Sequence, residues 1–327
     1  MPLDKQNNIY SIGSFDSLPE HIYWSFNGAP YAWPDFSEPT HLNYSVGASI
    51  ERKKYDFQNE FEKAVSLLIK KAGTRKLALC LSGGVDSEAI AWELKRQKAN
   101  FELFFLSNWL LNEPVFENYV QPLAETLEVP LHKVILDRDY FLQEYAPRCF
   151  QRYFCHYPTY IALTYLFSQI PGDFYIVVGE GDLDKKGKCY SMLTTNPSTN
   201  LPDQSSGSFI PIMLSEIFYR LWAQEQRRTG EFYFYSSTPE LMAAMWQHPL
   251  FEKRFPYYST KNVLMSLDYK MKVRKKSTNW ENNAKLERAN LVRILHSQSA
   301  KDPRFKYWHR AVGAFFNIES LFVGKLQ

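Results

Sequence analysis

The chain has 327 residues, 45% of them hydrophobic and 22% charged, with a net charge of +3 at neutral pH. That length suits one large domain or two unequal ones, and the composition is that of a soluble globular protein rather than a disordered or fibrous one. The charge is too small to argue for nucleic acid by itself, no apolar run approaches a membrane span, and the polar start Met1-Pro-Leu-Asp-Lys is not a signal peptide.

Residues 1–60 read as an extension of short strands and loops. Its aromatics (Tyr23, Trp24, Phe26, Tyr31, Trp33, Phe36) show no helical period. They either pack on the main domain, residues 61–327, or serve as a partner-binding surface. A helix is predicted from Phe57 toward Lys71, with Phe57, Phe61, Val65 and Leu68 on one face. An alternation follows: strands at 76–81, 101–107, 131–136 and 174–179, and helices at 86–98, 114–128 and 158–169. Short apolar strands separated by amphipathic helices predict an α/β fold with a parallel sheet covered on both faces. Ligands of such sheets bind at the carboxyl ends of the strands. Residues 194–209 form a long Thr/Asn/Pro/Ser/Gly-rich loop, either a lid or a surface excursion. Helices resume at 212–227, 238–247, 259–270 and 281–297. No internal repeat is present. Of the four cysteines, Cys80, Cys149, Cys155 and Cys189, none form a Cys-x-x-Cys pair. Zinc and dithiol chemistry therefore find no motif, and a reducing, cytoplasmic setting fits.

Three blocks carry chemistry. The first is Ser82-Gly83-Gly84-Val85-Asp86-Ser87, directly after the apolar strand Lys76–Leu81. A Gly/Ser loop running into a helix N-terminus offers free N–H groups to an anion, and Asp86 is placed to hold the Mg²⁺ of a phosphate. No Gly-Lys-Ser/Thr follows, so this is not a Walker A loop. The second is Gly179-Glu180-Gly181-Asp182-Leu183-Asp184, closing the strand at 174–179. Three carboxylates in five residues at a sheet end suit Mg²⁺ and general-base work. The third is Thr260-Lys261-Asn262-Val263-Leu264 with the basic run Lys270–Lys276. A lysine near a helix start opposes the macrodipole and suits pairing with an anion, while the run suits pyrophosphate or, taken alone, a solvated or nucleic-acid-facing surface.

The first block resembles the PP-loop of the N-type ATP pyrophosphatases, which cleave ATP between the α- and β-phosphates. Together, from about 60 to 300, the blocks resemble the synthetase domain of asparagine synthetase B and its relatives, including β-lactam synthetases and lasso-peptide cyclases. Ser237-Thr-Pro-Glu-Leu241 resembles a further stretch of that family. The resemblance implies a PP-loop (adenine nucleotide α-hydrolase-like) fold with a helical C-terminal part, using ATP and Mg²⁺. It implies that Ser82, Gly83, Gly84 and Ser87 hold the pyrophosphate and that Asp86 binds Mg²⁺, with Asp182 or Asp184 as second ligand. Glu180 would act beside the acyl-adenylate and Lys261 on the phosphates, with Arg274 and Lys276 assisting. Backbone near Cys80, Leu106 and Gly179 would line the adenine pocket. The chain departs from the family at Leu183, where an acidic metal ligand is usual, and at Glu88. Pro2 stands where the glutaminase domain would have its cysteine.

The implied activity is an AMP-forming amide ligase that joins a small carboxylate to ammonia or an amine. A separate ammonia-supplying or substrate-carrying protein is a further option, and no membrane is implied. Two alternatives stay open. One is a PP-loop enzyme modifying a nucleobase or tRNA, although nucleic acid is not the favoured partner. The other is a non-catalytic nucleotide-binding module.

Overall fold

The computed structural model describes residues 49–109, 111–153, 158–181, 214–253 and 259–273, with shorter stretches at 10–11, 21–26, 29–30, 32–33, 42–46, 155, 209–212, 293–294, 297, 314–317 and 321–323. Helix α1 (Phe57–Ala72) starts where the Asp56 carboxylate accepts a hydrogen bond from the Asn59 N–H at 2.9 Å. That bond satisfies one of the helix's orphan donors. Phe57, Phe61, Val65 and Leu68 are all buried on its inner face, as the apolar period predicts.

A five-stranded, wholly parallel sheet follows: β1 (Leu77–Leu81), β2 (Phe101–Asn108), β3 (Leu131–Leu136), β4 (Tyr175–Val178) and β5 (Thr229–Glu231). The spatial order is β5-β4-β1-β2-β3. The chain winds outward from β1 through β2 to β3, then crosses back to lay β4 and β5 on the other side. The crevice between β1 and β4 is therefore a topological switch point, where open α/β sheets take their ligands.

Side-chain alternation explains the unbroken apolar runs. Leu77, Leu79 and Leu81 face one core, with α1, α2 (Val85–Arg96), α3 (113–127) and α7 (Pro239–Gln247). Ala78 and Cys80 face the other, with α4 (138–153), α5 (Pro158–Gln169) and α6 (Leu214–Glu225). Both faces are covered, and each fully buried Leu, Ile or Phe contributes about 1.5–3 kcal/mol. The α/β class with a parallel sheet between helices is the one the sequence predicts.

Some boundaries differ from expectation. The helix expected at 212–227 starts later, because Phe209–Ile212 is a strand paired with Ala314–Asn317. The helix expected at 259–270 ends early: α8 spans Ser259–Leu264, and turns continue the chain. Strand β5 was not expected. Its three residues, Thr-Gly-Glu, carry no alternating apolar signal, and Gly230 is required because a Cβ there would lie 2.6 Å from the Ile176 carbonyl oxygen. In the extension, Ile22–Phe26 pairs with Leu42–Val46 and with Ala29–Pro30, so short strands do form. The 194–209 loop and nearly all of the helix expected at 281–297 lie outside the described residues. Among the described residues no helix is long and apolar enough to cross a membrane.

Candidate active site

The loop 82–87 connects β1 to α2, at the switch point. Gly83 has φ +75°, a left-handed backbone that glycine adopts freely. A Cβ there would lie 2.2 Å from Val115 Cγ1, so α3 packs against the loop where a side chain would otherwise stand. Val115 immediately precedes a π turn at Phe116–Val120, a distortion common beside functional sites. Gly84 is the N-cap of α2, with no side-chain cap of its own. Hydroxyls tie the loop to itself. The Gly84 N–H donates to Ser82 Oγ (3.2 Å), the Ser82 N–H to Ser87 Oγ (3.3 Å), and Ser87 Oγ to the Gly84 carbonyl (3.4 Å). A Cβ on Gly84 would fall 3.1 Å from Ser82 Oγ and 3.4 Å from Asp86 Oδ2. Glycine thus leaves a bare cradle between a hydroxyl and a carboxylate at the N-terminus of a twelve-residue helix.

Two distant parts of the chain close on this loop. Lys261, on α8, brings Nζ to 3.5 Å from Asp86 Oδ2; its side chain is 29% exposed and that of Asp86 14%. The segment after α8 is anchored to α2 by Tyr269, whose hydroxyl donates to Glu93 and whose ring stacks on Trp92 at 6°. Glu93, fully buried, also takes two 2.7 Å bonds from Arg96. Burial alone would raise the Glu93 carboxyl, but the bonds from Arg96, Tyr269 and Gln97 outweigh it and hold the group below its ordinary range.

From the other side comes the turn after β4. Gly179 packs on the first turn of α2; a Cβ on it would sit 3.2 Å from Ser87 N and Cα. Gly181 has φ +116°, and its missing Cβ position is 3.0 Å from Ser236 N. Glu180 stands between the two glycines. The Glu180 carboxylate is close enough to Cys80 that its charge adds to burial in pushing that thiol far above its ordinary range. Cys80 is therefore an inert core thiol, in keeping with its place in β1.

The sequence did not single out the third component, the 3₁₀ turn Phe234–Ser236 that follows β5. The Tyr235 N–H donates to the Glu180 carbonyl (3.1 Å), and Tyr235 Oη donates to the Asp86 carbonyl (2.6 Å). One buried residue therefore braces the main chain of both acidic candidates. Its only sequence signal is the aromatic run Phe232-Tyr-Phe-Tyr235, which reads equally as core.

The structure brings together Ser82, Gly83, Gly84, Asp86, Ser87, Gly179, Glu180 and Lys261. Leu106 is buried in β2, and its carbonyl accepts from Asn112 Nδ2 at 2.8 Å. In the Ser237–Leu241 stretch, Thr238 caps α7 by accepting from the Leu241 N–H at 3.2 Å, a structural role. Asp182, Leu183, Asp184, Arg274 and Lys276 lie outside the described residues. Among the described residues no group of three His, Cys, Asp or Glu side chains could hold a metal ion. Two surface hollows among the described residues, one lined by Lys63 and Arg96 and the other by Arg52 and Trp246, lie away from the loop.

No family model matches the chain. Over 95 residues it is 33% identical to the tRNA-specific 2-thiouridylase MnmA of Buchnera aphidicola subsp. Acyrthosiphon pisum, across 24% of this chain and 25% of that protein. The chain thus spans about a quarter of the length of that curated relative. Among solved structures it is similar to an NH3-dependent NAD synthetase from Campylobacter jejuni, at 16% identity and a TM-score of 0.30, covering 76% of this chain and 94% of that one. It is also similar to NMN synthetase from Francisella tularensis, at 14% and 0.31 over 74% and 94%. A third likeness is to the U34-tRNA thiolase NcsA from Methanococcus maripaludis, at 12% and 0.33 over 78% and 77%.

Proposed function

We propose that this chain is an AMP-forming enzyme of the PP-loop kind, which cleaves ATP between the α- and β-phosphates, adenylates a substrate oxygen and releases pyrophosphate. The observation that carries this reading is the 3.5 Å approach of Lys261 to Asp86, which joins the third sequence block to the first. The cradle at Gly84 fits a phosphate: it is free of a Cβ atom, lies between Ser82 Oγ and Asp86 Oδ2, and stands at the start of α2. In this reading the backbone of Ser82, Gly83 and Gly84 and the Ser87 hydroxyl hold the pyrophosphate moiety. Asp86 would hold a divalent cation, with Asp182 and Asp184 as further ligands. Such an ion, when bound, neutralises phosphate charge. Lys261 offsets the charge that builds on the departing pyrophosphate, and Arg274 and Lys276 extend that positive field.

The first choice of acceptor is a carboxylate, converted to an amide by ammonia or an amine. Adenylation replaces a poor leaving group with AMP, and Glu180 orients or deprotonates the attacking nitrogen. A second reading keeps the ATP step and changes the acceptor to a base in tRNA; the identity to MnmA favours it. Pyrophosphate release from Mg-ATP separates the two. Release that needs one acid plus ammonium or an amine supports the ligase. Release that needs bulk tRNA alone removes the ligase reading in favour of nucleobase modification. ATP bound but never cleaved under either condition removes both and leaves a nucleotide-binding module.

A further inference from the structure

The N-terminal extension reaches the active-site brace through His21. His21 is buried, 6% exposed, and its Nε2 lies 3.2 Å from the Ser236 carbonyl oxygen, 215 residues away in sequence. A carbonyl only accepts, so Nε2 carries the hydrogen. Burial holds the ring's pKa down to about 4, and the nearby Lys71 charge acts in the same direction, so the ring is neutral at neutral pH. A buried imidazole needs its hydrogen bond, and the partner here is the main chain of Ser236.

Ser236 is the residue against which the Gly179–Gly181 turn closes, within 3.0 Å of the missing Gly181 Cβ position. Its neighbour Tyr235 holds the main chain of both Glu180 and Asp86. The brace has a second internal tie, Ser236 Oγ donating to the Tyr233 carbonyl at 3.1 Å. Four segments thus meet at one short turn: the phosphate-type loop, the Glu180 turn, the end of β5 and the extension.

We infer that His21 is a positioning residue of the active site: its Nε2–H fixes the 234–236 brace, and through it the Glu180 turn, so that the extension takes part in catalysis rather than only covering the core. The inference rests on the proposed role of Glu180. A displacement of about 1 Å at a reacting group can cost about a hundredfold in rate, and loss of the bond here acts at one remove. His21→Ala is therefore expected to lower kcat about tenfold. KM for ATP should stay within about twofold, because the loop 82–87 is tied by its own hydroxyls.

The test compares the full chain with His21→Ala, His21→Gln and His21→Asn, reading pyrophosphate release from Mg-ATP with mixed amino acids, ammonium chloride and bulk tRNA. The glutamine nitrogen falls near the position of Nε2, whereas the asparagine nitrogen falls near Nδ1. His21→Gln should keep more than half of the wild-type kcat, while His21→Asn should fall with His21→Ala. Both polar variants keep the comparison open if the alanine form does not fold. Leu127→Ala, a core truncation at the amino ends of the strands, controls for stability and should keep its kcat below its melting range. Unchanged kcat in His21→Ala and His21→Asn, or equal losses in Gln and Asn, overturns the inference while the reading of the site stands. A wild-type chain that releases no pyrophosphate under any condition fells the reading and the inference with it.

Discussion

Gly83 carries two constraints at once, a left-handed φ and a Val115 methyl where its Cβ would be. Gly83→Ala should destabilise the fold by about 1–3 kcal/mol, seen as a lower thermal midpoint, and should weaken nucleotide binding. A variant that melts and binds ATP like the parent would show that the loop relaxes freely. Lys261→Ala and Asp86→Ala should each abolish turnover with the fold intact by circular dichroism. Near-normal activity in either would remove the assigned role of that residue. His21 gives a pH signature in stability. Its folded pKa, about 4, lies below the ordinary 6.5, so between those values the unfolded chain binds more protons. Its contribution is complete above pH 6.5 and is lost as pH falls toward 4, by no more than about 3 kcal/mol. Denaturant titrations at pH 7 and pH 5 should show a loss in the parent that His21→Gln lacks.

At the scale of elements, the site is three strand ends, β1, β4 and β5, with α8 laid across α2. Tyr269 fixes that last contact, and Tyr269→Phe leaves Glu93 without one donor while Arg96 keeps it paired. The expected cost is about 1–2 kcal/mol of stability, with kcat reduced because Lys261 is held less firmly. Unchanged kcat would mean that α8 is fixed by its apolar side, Val263 and Leu264, alone. Most of this frame was legible beforehand. The runs Leu77–Leu81, Leu103–Leu106 and Tyr175–Val178 are continuously apolar because helices cover both faces of each strand there, and that pattern survives in one dimension. Strand β5 was not legible: Thr-Gly-Glu is held by its register with Tyr175–Val177, a long-range fact. The brace at Tyr235 was hidden for the same reason, since its function lies in hydrogen bonds to carbonyls that any residue would offer. The pairing of Lys261 with Asp86 was legible only as the order of two blocks; the 3.5 Å contact needs the fold.

For the molecule as a whole, the sheet order sets the 82–87 loop and the Gly179–Glu180 turn around the β1/β4 crevice, α8 brings Lys261 to it, and the extension closes on it from the side of β5 through His21. This arrangement concentrates a helix N-terminus, one lysine and two acids at one sheet end. On the proposed reading, that set suits the cleavage of ATP and the stabilisation of its phosphates, whichever acceptor follows. The measurement that tests this most directly is the product of ATP turnover, resolved as AMP plus pyrophosphate or ADP plus phosphate, with Asp86→Ala as the blank. The account predicts AMP and pyrophosphate in equal amounts from the parent chain and neither from the variant. ADP and phosphate, or equal turnover by Asp86→Ala, would contradict it.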